Sequence, residues 1–305
     1  MSLNLAARLI YGCGRLAGGV SAGASADLLR QAFDGGITAV DVAPSYGLGL
    51  AEKVVGRAVR DHASVRVTTK VGIPRPHLGW TKSVARAAKR GLGSSAPRSF
   101  EGFAPLEPPA RYDLADFSHP ALRDSLARSH EALGRIDAVL LHNCGPEEAT
   151  PELLGEFEAL SAGLAAAPGY GNQARWDQAT DAAFPVHFIS QTAIDPVWLV
   201  GDSIPTTRER AELHSLLPTA EWLARSDPGF SARWDVAAKA VSGPMGAARI
   251  AAILALVSVR VPQATLIISS TRRERLTQML DAVHKVGTMI SPEEIAAIFT
   301  REARP

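Results

Sequence analysis

Four side chains in the first half of the chain have the types that proton transfer needs: Asp41, Tyr46, Lys70 and His142. A phenol has a pKa near ~10 and is a poor acid at neutral pH, but an adjacent ammonium stabilises its anion and lowers that value. Lys70 is the candidate for that ammonium. A carboxylate such as Asp41 would hold it charged and in place, and His142 would hydrogen-bond a substrate oxygen. The combination suits reduction of a carbonyl, in which a proton reaches oxygen as hydride reaches carbon. Taken singly, each residue also has a structural explanation: Asp41 as a helix cap, Lys70 as a surface lysine, His142 as a satisfied core histidine, Tyr46 as a rim residue.

The elements that must position them follow from the apolar pattern. Asp41 and Tyr46 lie between the short apolar run Ile37-Thr38-Ala39-Val40, a buried strand, and Leu50, Val54, Val55, Ala58 and Val59, which repeat with helical spacing. A first strand, Leu9–Gly14, precedes a helix capped by Ser25, with Leu28, Leu29, Ala32 and Phe33 on one face and Gly35 at its stop. Val65–Lys70 is the third strand and Ala138–His142 the fourth. Alternation of strand and helix favours a parallel sheet, whose chemistry gathers at the carboxyl ends of its strands. With strands spaced by about 4.8 Å, the ends of strands two to four fall within roughly 5–10 Å of one another, close enough for one pocket.

From Val71 to Ser118 the periodicity fails: proline, glycine, serine and basic residues dominate, with one short helix at Thr81–Arg90. So long a connection inside a domain reads as a lid candidate. Lys82, Arg86, Lys89 and Arg90 on that helix read as a solvated face. Leu122, Leu126 and Leu133 mark the next helix, and Pro151–Ala166, capped by Thr150, another. A strand at Gly169–Gly171, a helix over Gln173–Ala183 and a strand at Val186–Gln191 come next. Beyond them lie helical patterns at Thr207–Leu217, Pro218–Arg225 and Ala247–Val259, with a strand near Phe230–Trp234 as the seventh. Thr265–Ser270 is the last strand, Glu274–His284 a helix, and Ser291-Pro292-Glu293-Glu294 opens a final helix. Seven or eight strands with intervening helices predict an α/β fold, a (β/α)8 TIM barrel. It would form a single domain over residues 1–305, with an irregular long loop after strand three and an atypical region around strand seven.

Composition narrows the function classes. The 305 residues are 46% hydrophobic and 21% charged, enough for a core without staples, and the net charge of +1 provides no field for nucleic acid or an acidic membrane. Two cysteines, Cys13 and Cys144, build no disulfide framework and fit a reducing cytoplasm. The run Ile250–Val259 is too short to cross a bilayer. The expectation is a soluble cytoplasmic protein without nucleic-acid or membrane partners, its oligomeric state open. His142-Asn143-Cys144 has no second ligand cluster at metal spacing, so no metal is expected. Gly12-Cys13-Gly14 reads as a tight strand-end loop.

Four segments taken together, Asp41-Val42-Ala43-Pro44-Ser45-Tyr46-Gly47 with Glu52 and Gly56, Thr69-Lys70-Val71-Gly72, Ile136 through His142, and Ile267–Leu280, resemble the aldo-keto reductase superfamily in order, from about Leu9 to Ala282. The resemblance implies a barrel that binds NADPH or NADH extended, with Tyr46 as general acid, Lys70 and Asp41 tuning it, and His142 orienting the carbonyl of a small aldehyde, ketone or sugar. Tyr46–Glu52 and Asp116–Leu126 look most like the branch holding aldose 1-dehydrogenases and pyridoxal-oxidising enzymes.

On the cofactor side the chain departs from that family. The Ser-Asn pair and the Gln that hold the carboxamide fall at Gly171, Asn172 and Gln191, so the serine is lost. The aromatic expected to stack on the nicotinamide falls at Ile194, which leaves Trp198 as its substitute. The last segment reads Ser269-Ser270-Thr271-Arg272, and the family's later Gln and Asn are replaced by Arg275 and Met279. Hydroxyls, backbone N–H groups and arginines at a helix start still suit phosphate, and the nearby arginines favour NADPH over NADH. Two other readings stay open: a non-catalytic NADP(H)-binding sensor or assembly subunit, and a pyridoxal-phosphate barrel with Lys70 as Schiff-base lysine.

Overall fold

The computed structural model describes residues 5–17, 20–76, 115–201, 208 and 210–300. Eight parallel strands close a barrel in sequence order, each paired with the next and the last with the first. They are β1 Leu9–Gly12, β2 Ala39–Asp41, β3 Arg66–Val71, β4 Ala138–His142, β5 Ala167–Arg175, β6 Ile189–Ala193, β7 Ala211–His214 and β8 Ala264–Ile268. Closure comes from Leu9, Ile10 and Tyr11 lying opposite Leu266, Ile267 and Ile268. The expected TIM barrel is therefore the architecture.

Helices α1 Ala22–Asp34, α2 Ala51–Val59, α3 His119–Leu133 and α4 Pro151–Gly163 follow the first strands. The short α5 Gln178–Ala182 and α6 Pro196–Val200 precede β7, and α7 Leu216–Ser226, α8 Pro228–Val241 and α9 Met245–Arg260 lie between β7 and β8. Helices α10 Arg273–Lys285 and α11 Pro292–Thr300 close the chain. One contiguous apolar core fills the space between barrel and helices. Ala138, Leu140 and Ile189 make a small separate cluster, with Ala167 packed against it. Gly56 sets the distance between α2 and α3, since a Cβ there would meet the Ala132 carbonyl oxygen at 2.1 Å. No single helix among the described residues is long and apolar enough to cross a membrane; α8 and α9 pass only as a pair, bent by 103°.

Several boundaries differ from the sequence reading. The cap of α1 is Ser21, whose side chain accepts from Ala24 N, while Ser25 turns inward and accepts from Ala17 N at 3.1 Å. Strand β5 runs on to Arg175, so the helix expected over Gln173–Ala183 shrinks to five residues capped by Asp177. Strand β6 starts later than expected, leaving Val186 exposed. The seventh strand is not near Phe230–Trp234. Those two residues are one turn apart on α8 and bury a shared face, and β7 falls inside the stretch read as the helix Thr207–Leu217. The helix expected at Thr81–Arg90, with its basic residues, lies outside the described residues, as does most of the segment read as a lid.

Candidate active site

The register of the barrel decides which side chains meet. His142 lies opposite Gly171, Gly171 opposite Gln191, and Gln191 opposite Glu212, one row across β4 to β7. Alternation along each strand then puts Lys70, His142, Gln191, Glu212 and His214 on the barrel's inner face, and the bonds between them bear this out. Asp41, the last residue of β2, comes to the same level from the far side.

Lys70 Nζ donates to both carboxylate oxygens of Asp41, at 2.5 and 2.6 Å, and lies 3.1 Å from Tyr46 Oη. Tyr46 arrives on a single 3-10 turn, Tyr46–Gly49, tied back by Tyr46 N to the Ala43 carbonyl. Its ring stands nearly perpendicular to that of His142, centroids 5.9 Å apart. Gln191 Nε2 donates to Asp41 Oδ1 at 2.9 Å and to Glu212 Oε2 at 2.8 Å. Strands β2 and β6 are four places apart in the barrel, so the Gln191–Asp41 bond spans its interior.

Burial sets the electrostatics of this group. It works to lower the Lys70 pKa, but Asp41 and Tyr46 outweigh it and hold the ammonium above the ordinary lysine range. Tyr46 is raised: burial disfavours the phenolate more than Lys70 favours it, and Asp41 adds to the rise. The sequence argument, which had Lys70 lowering the phenol, took the right charge but left out desolvation. Burial, then the Lys70 charge, push His142 down to about 3, so the ring is neutral, and its Nδ1 is buried with no partner among the described residues. Glu212 is raised by burial and then by the Asp41 charge. Cys13, fully buried, is raised well above the usual thiol range, which leaves it inert.

Asp41, Tyr46, Lys70 and His142 line a cavity of about 670 Å3 at the carboxyl ends of the strands; Glu212 and Cys13 do not. Asn172, Gln191, Ser269, Ser270 and Arg275 line the cavity as well. Thr271 does not, and its exposed side chain belongs to the turn before α10. Arg272 lies on an adjoining depression of about 300 Å3, shared with Arg275, between the starts of α9 (Gly246, Ala247) and α10. Glu274 and Gln278 line it as well. Trp198 is not in the cavity: it is buried on α6 against Trp176, centroids 5.7 Å apart. It cannot serve as the stacking aromatic.

Two cavity residues, and a third that bonds to the lining, went unread in the sequence as parts of this pocket. His214 ends β7; its Nε2 is 2.9 Å from the Asn172 carbonyl oxygen, which only accepts, so Nε2 carries the proton and Nδ1 accepts from Ser215 Oγ. Asn143 follows His142 in a left-handed conformation, φ 56°, and its Oδ1 accepts from Gln173 N. Glu212 is not on the lining, but it accepts from Gln191, which is. The alternation Ala211-Glu212-Leu213-His214 was the available signal, because period two places Glu212 and His214 on one face of a strand.

A family model described as Aldo/keto reductase family matches residues 8–197, well over half of the chain and six of the site residues from Asp41 to Gln191. The chain belongs to the aldo/keto reductase family. Among curated members, D-threo-aldose 1-dehydrogenase of a Pseudomonas species is 32% identical over 138 residues, 44% of this chain and 38% of that protein. The aldo-keto reductase YhdN of Bacillus subtilis is 41% identical over 49 residues, 16% of this chain and 15% of that one. The chain thus spans less than half the length of these curated relatives. Among solved structures, an aldo/keto reductase from Klebsiella pneumoniae in complex with NADP and acetate superposes with a TM-score of 0.60 at 18% identity, covering 97% of this chain and 93% of that one. The glycerol dehydrogenase of Gluconobacter oxydans gives a TM-score of 0.61 at 17% identity, with 95% and 90% covered. At such identity these likenesses concern the fold. Within this aldo/keto reductase, Ser269 to Arg275 lie beyond the matched residues.

Proposed function

We propose that this chain is an NADPH-preferring oxidoreductase that by hydride transfer interconverts an aldehyde or ketone with its alcohol, or a sugar lactone with its lactol. The observation that carries this reading is Lys70 Nζ bonded at once to Asp41 and to Tyr46 on the lining of the cavity. Tyr46 gives its proton to the substrate oxygen as the carbonyl is reduced. The Lys70 ammonium, 3.1 Å from that hydroxyl, stabilises the phenolate left behind, and Asp41 fixes the ammonium. His142, neutral and beside Tyr46, orients the same oxygen without competing as an acid.

The residues at the cavity fit a nicotinamide nucleotide. Among the described residues, Asn143 Nδ2 and Asn172 Oδ1 are buried without partners, the inventory that a carboxamide would satisfy. Arg272 and Arg275 stand where the starts of α9 and α10 converge, a setting that favours phosphate, with Glu274 as the opposing charge. The cofactor, when bound, supplies the hydride that reduces the carbonyl carbon. NADP is bound in the Klebsiella structure, and the curated Pseudomonas relative is an aldose dehydrogenase, which supports the choice of cofactor and includes sugars in the substrate class.

A non-catalytic NADP(H) sensor is favoured by Gly171 in place of a serine and by the absence of Trp198 from the cavity. A pyridoxal-phosphate role fits poorly, since a Lys70 held protonated by Asp41 is no nucleophile. Titrating the purified protein with NADPH and NADH, then following NADPH consumption over a panel of aldehydes, ketones and aldoses, separates the readings. Tighter NADPH binding with turnover is expected. Binding without turnover on any carbonyl selects the sensor, and no binding of either nucleotide rejects both.

A further inference from the structure

We infer that Asn143 reads the carbonyl oxygen of the nicotinamide carboxamide, taking over the donor role given up at Gly171; the inference rests on the NADPH reading above. The donors and acceptors at the ends of β4, β5 and β6 make a specific pattern. Gln191 spends both N–H groups on carboxyl oxygens of Asp41 and Glu212, so its side chain can offer a ligand only Oε1, an acceptor. Asn172 adds a second acceptor, its Oδ1, which has no partner among the described residues. Asn143 supplies the donor. Asn143 lines the cavity; its Oδ1 is fixed by the Gln173 N–H at 3.2 Å, which settles the orientation of the amide and leaves Nδ2, buried and without a partner among the described residues, as its free group. Two acceptors and one donor are the complement of a primary carboxamide, which has two N–H hydrogens and one carbonyl oxygen.

The structure also accounts for the exchange of roles. A Cβ on Gly171 would come to 3.2 Å from Gln191 Oε1 and 3.3 Å from Leu140 Cδ1, so a side chain there would press on the amide that Asp41 and Glu212 hold in place. Asn143 is Gly171's immediate neighbour, its backbone N–H donating to the Gly171 carbonyl at 2.7 Å. The backbone at Asn143 is left-handed, a conformation uncommon for residues other than Gly, Asn and Asp.

The test uses three ligands and two variants, with calorimetric titration as the readout. The ligands are NADPH, an analogue whose carboxamide is an acetyl group, and an adenosine bisphosphate without nicotinamide. Asn143→Asp keeps the acceptor for Gln173 N and tolerates the same backbone but removes the donor; Asn143→Gly keeps the backbone and removes the side chain. Both variants should bind NADPH about 10-fold more weakly than the parent protein. Both should lose affinity for the acetyl analogue as well, which retains the carbonyl oxygen, and neither should lose affinity for the bisphosphate. Parental affinity of both variants for NADPH, or equal weakening with all three ligands, overturns the role of Asn143 while leaving the cofactor assignment intact. A parent protein that does not bind NADPH removes the cofactor assignment itself, and the inference with it.

Discussion

Lys70 holds Asp41 more closely than it holds Tyr46: its Nζ is 2.5 and 2.6 Å from the two carboxylate oxygens and 3.1 Å from the phenol. The ammonium is therefore anchored by the acid and lent to the tyrosine. Breaking such a buried pair from one side leaves an uncompensated charge, so Lys70→Met should destabilise the fold by about 3–5 kcal/mol in urea unfolding. The double variant Lys70→Met with Asp41→Asn should recover part of that loss. Strict additivity of the two changes would contradict the pairing.

His142 predicts how stability responds to acid. Its pKa falls from 6.5 to about 3, so between those values the unfolded chain binds a proton that the native chain refuses. The stability is fully present above the unfolded value and is lost as pH falls, by about 1.4 kcal/mol per pH unit. His142→Gln should flatten the decline measured by urea midpoints at about pH 7, 6 and 5. An unchanged slope would mean that the ring is charged or exposed in the native state.

Glu212 works in the opposite sense. Its pKa is raised from 4.5, chiefly by burial, so the native chain keeps a proton that the unfolded chain releases, and stability is lost as pH rises from that value. Glu212→Gln removes the titration and should gain on the parent protein as pH rises. The two should come closest in acid, and a difference constant with pH would count against a buried carboxyl at this position.

Arg272 and Arg275 border the depression between two helix starts. Arg272→Ala and Arg275→Ala should each weaken NADPH by about 10-fold or more and NADH much less, because only the former carries the extra phosphate that a guanidinium pairs with. Equal losses for the two nucleotides would place the arginines elsewhere in the bound complex.

The barrel was legible because its strands are short apolar runs ended by glycine, proline or a polar side chain, and Asp41, Lys70 and His142 could be placed by their strands alone. Strand β7 was not, for a physical reason. Its inward residues, Glu212 and His214, serve the site rather than the apolar core, so Ala211–His214 lacks the hydrophobic run by which the other strands were found. Trp198 misled because proximity in sequence to Gln191 says nothing about which side of the sheet α6 packs on. The polarity of Tyr46's shift also lay beyond the sequence, since burial outweighs the Lys70 charge only once the loop is folded.

The most direct test of the account is single-turnover oxidation of bound NADPH by an aldehyde or aldose substrate found in the panel, for the parent protein and for Tyr46→Phe. Tyr46→Phe should bind NADPH nearly as the parent does and lose about 100-fold or more of the rate, the share expected of a general acid. A Tyr46→Phe rate close to the parental one would contradict the assignment of the acid and, with it, the role given to the Lys70–Asp41 pair.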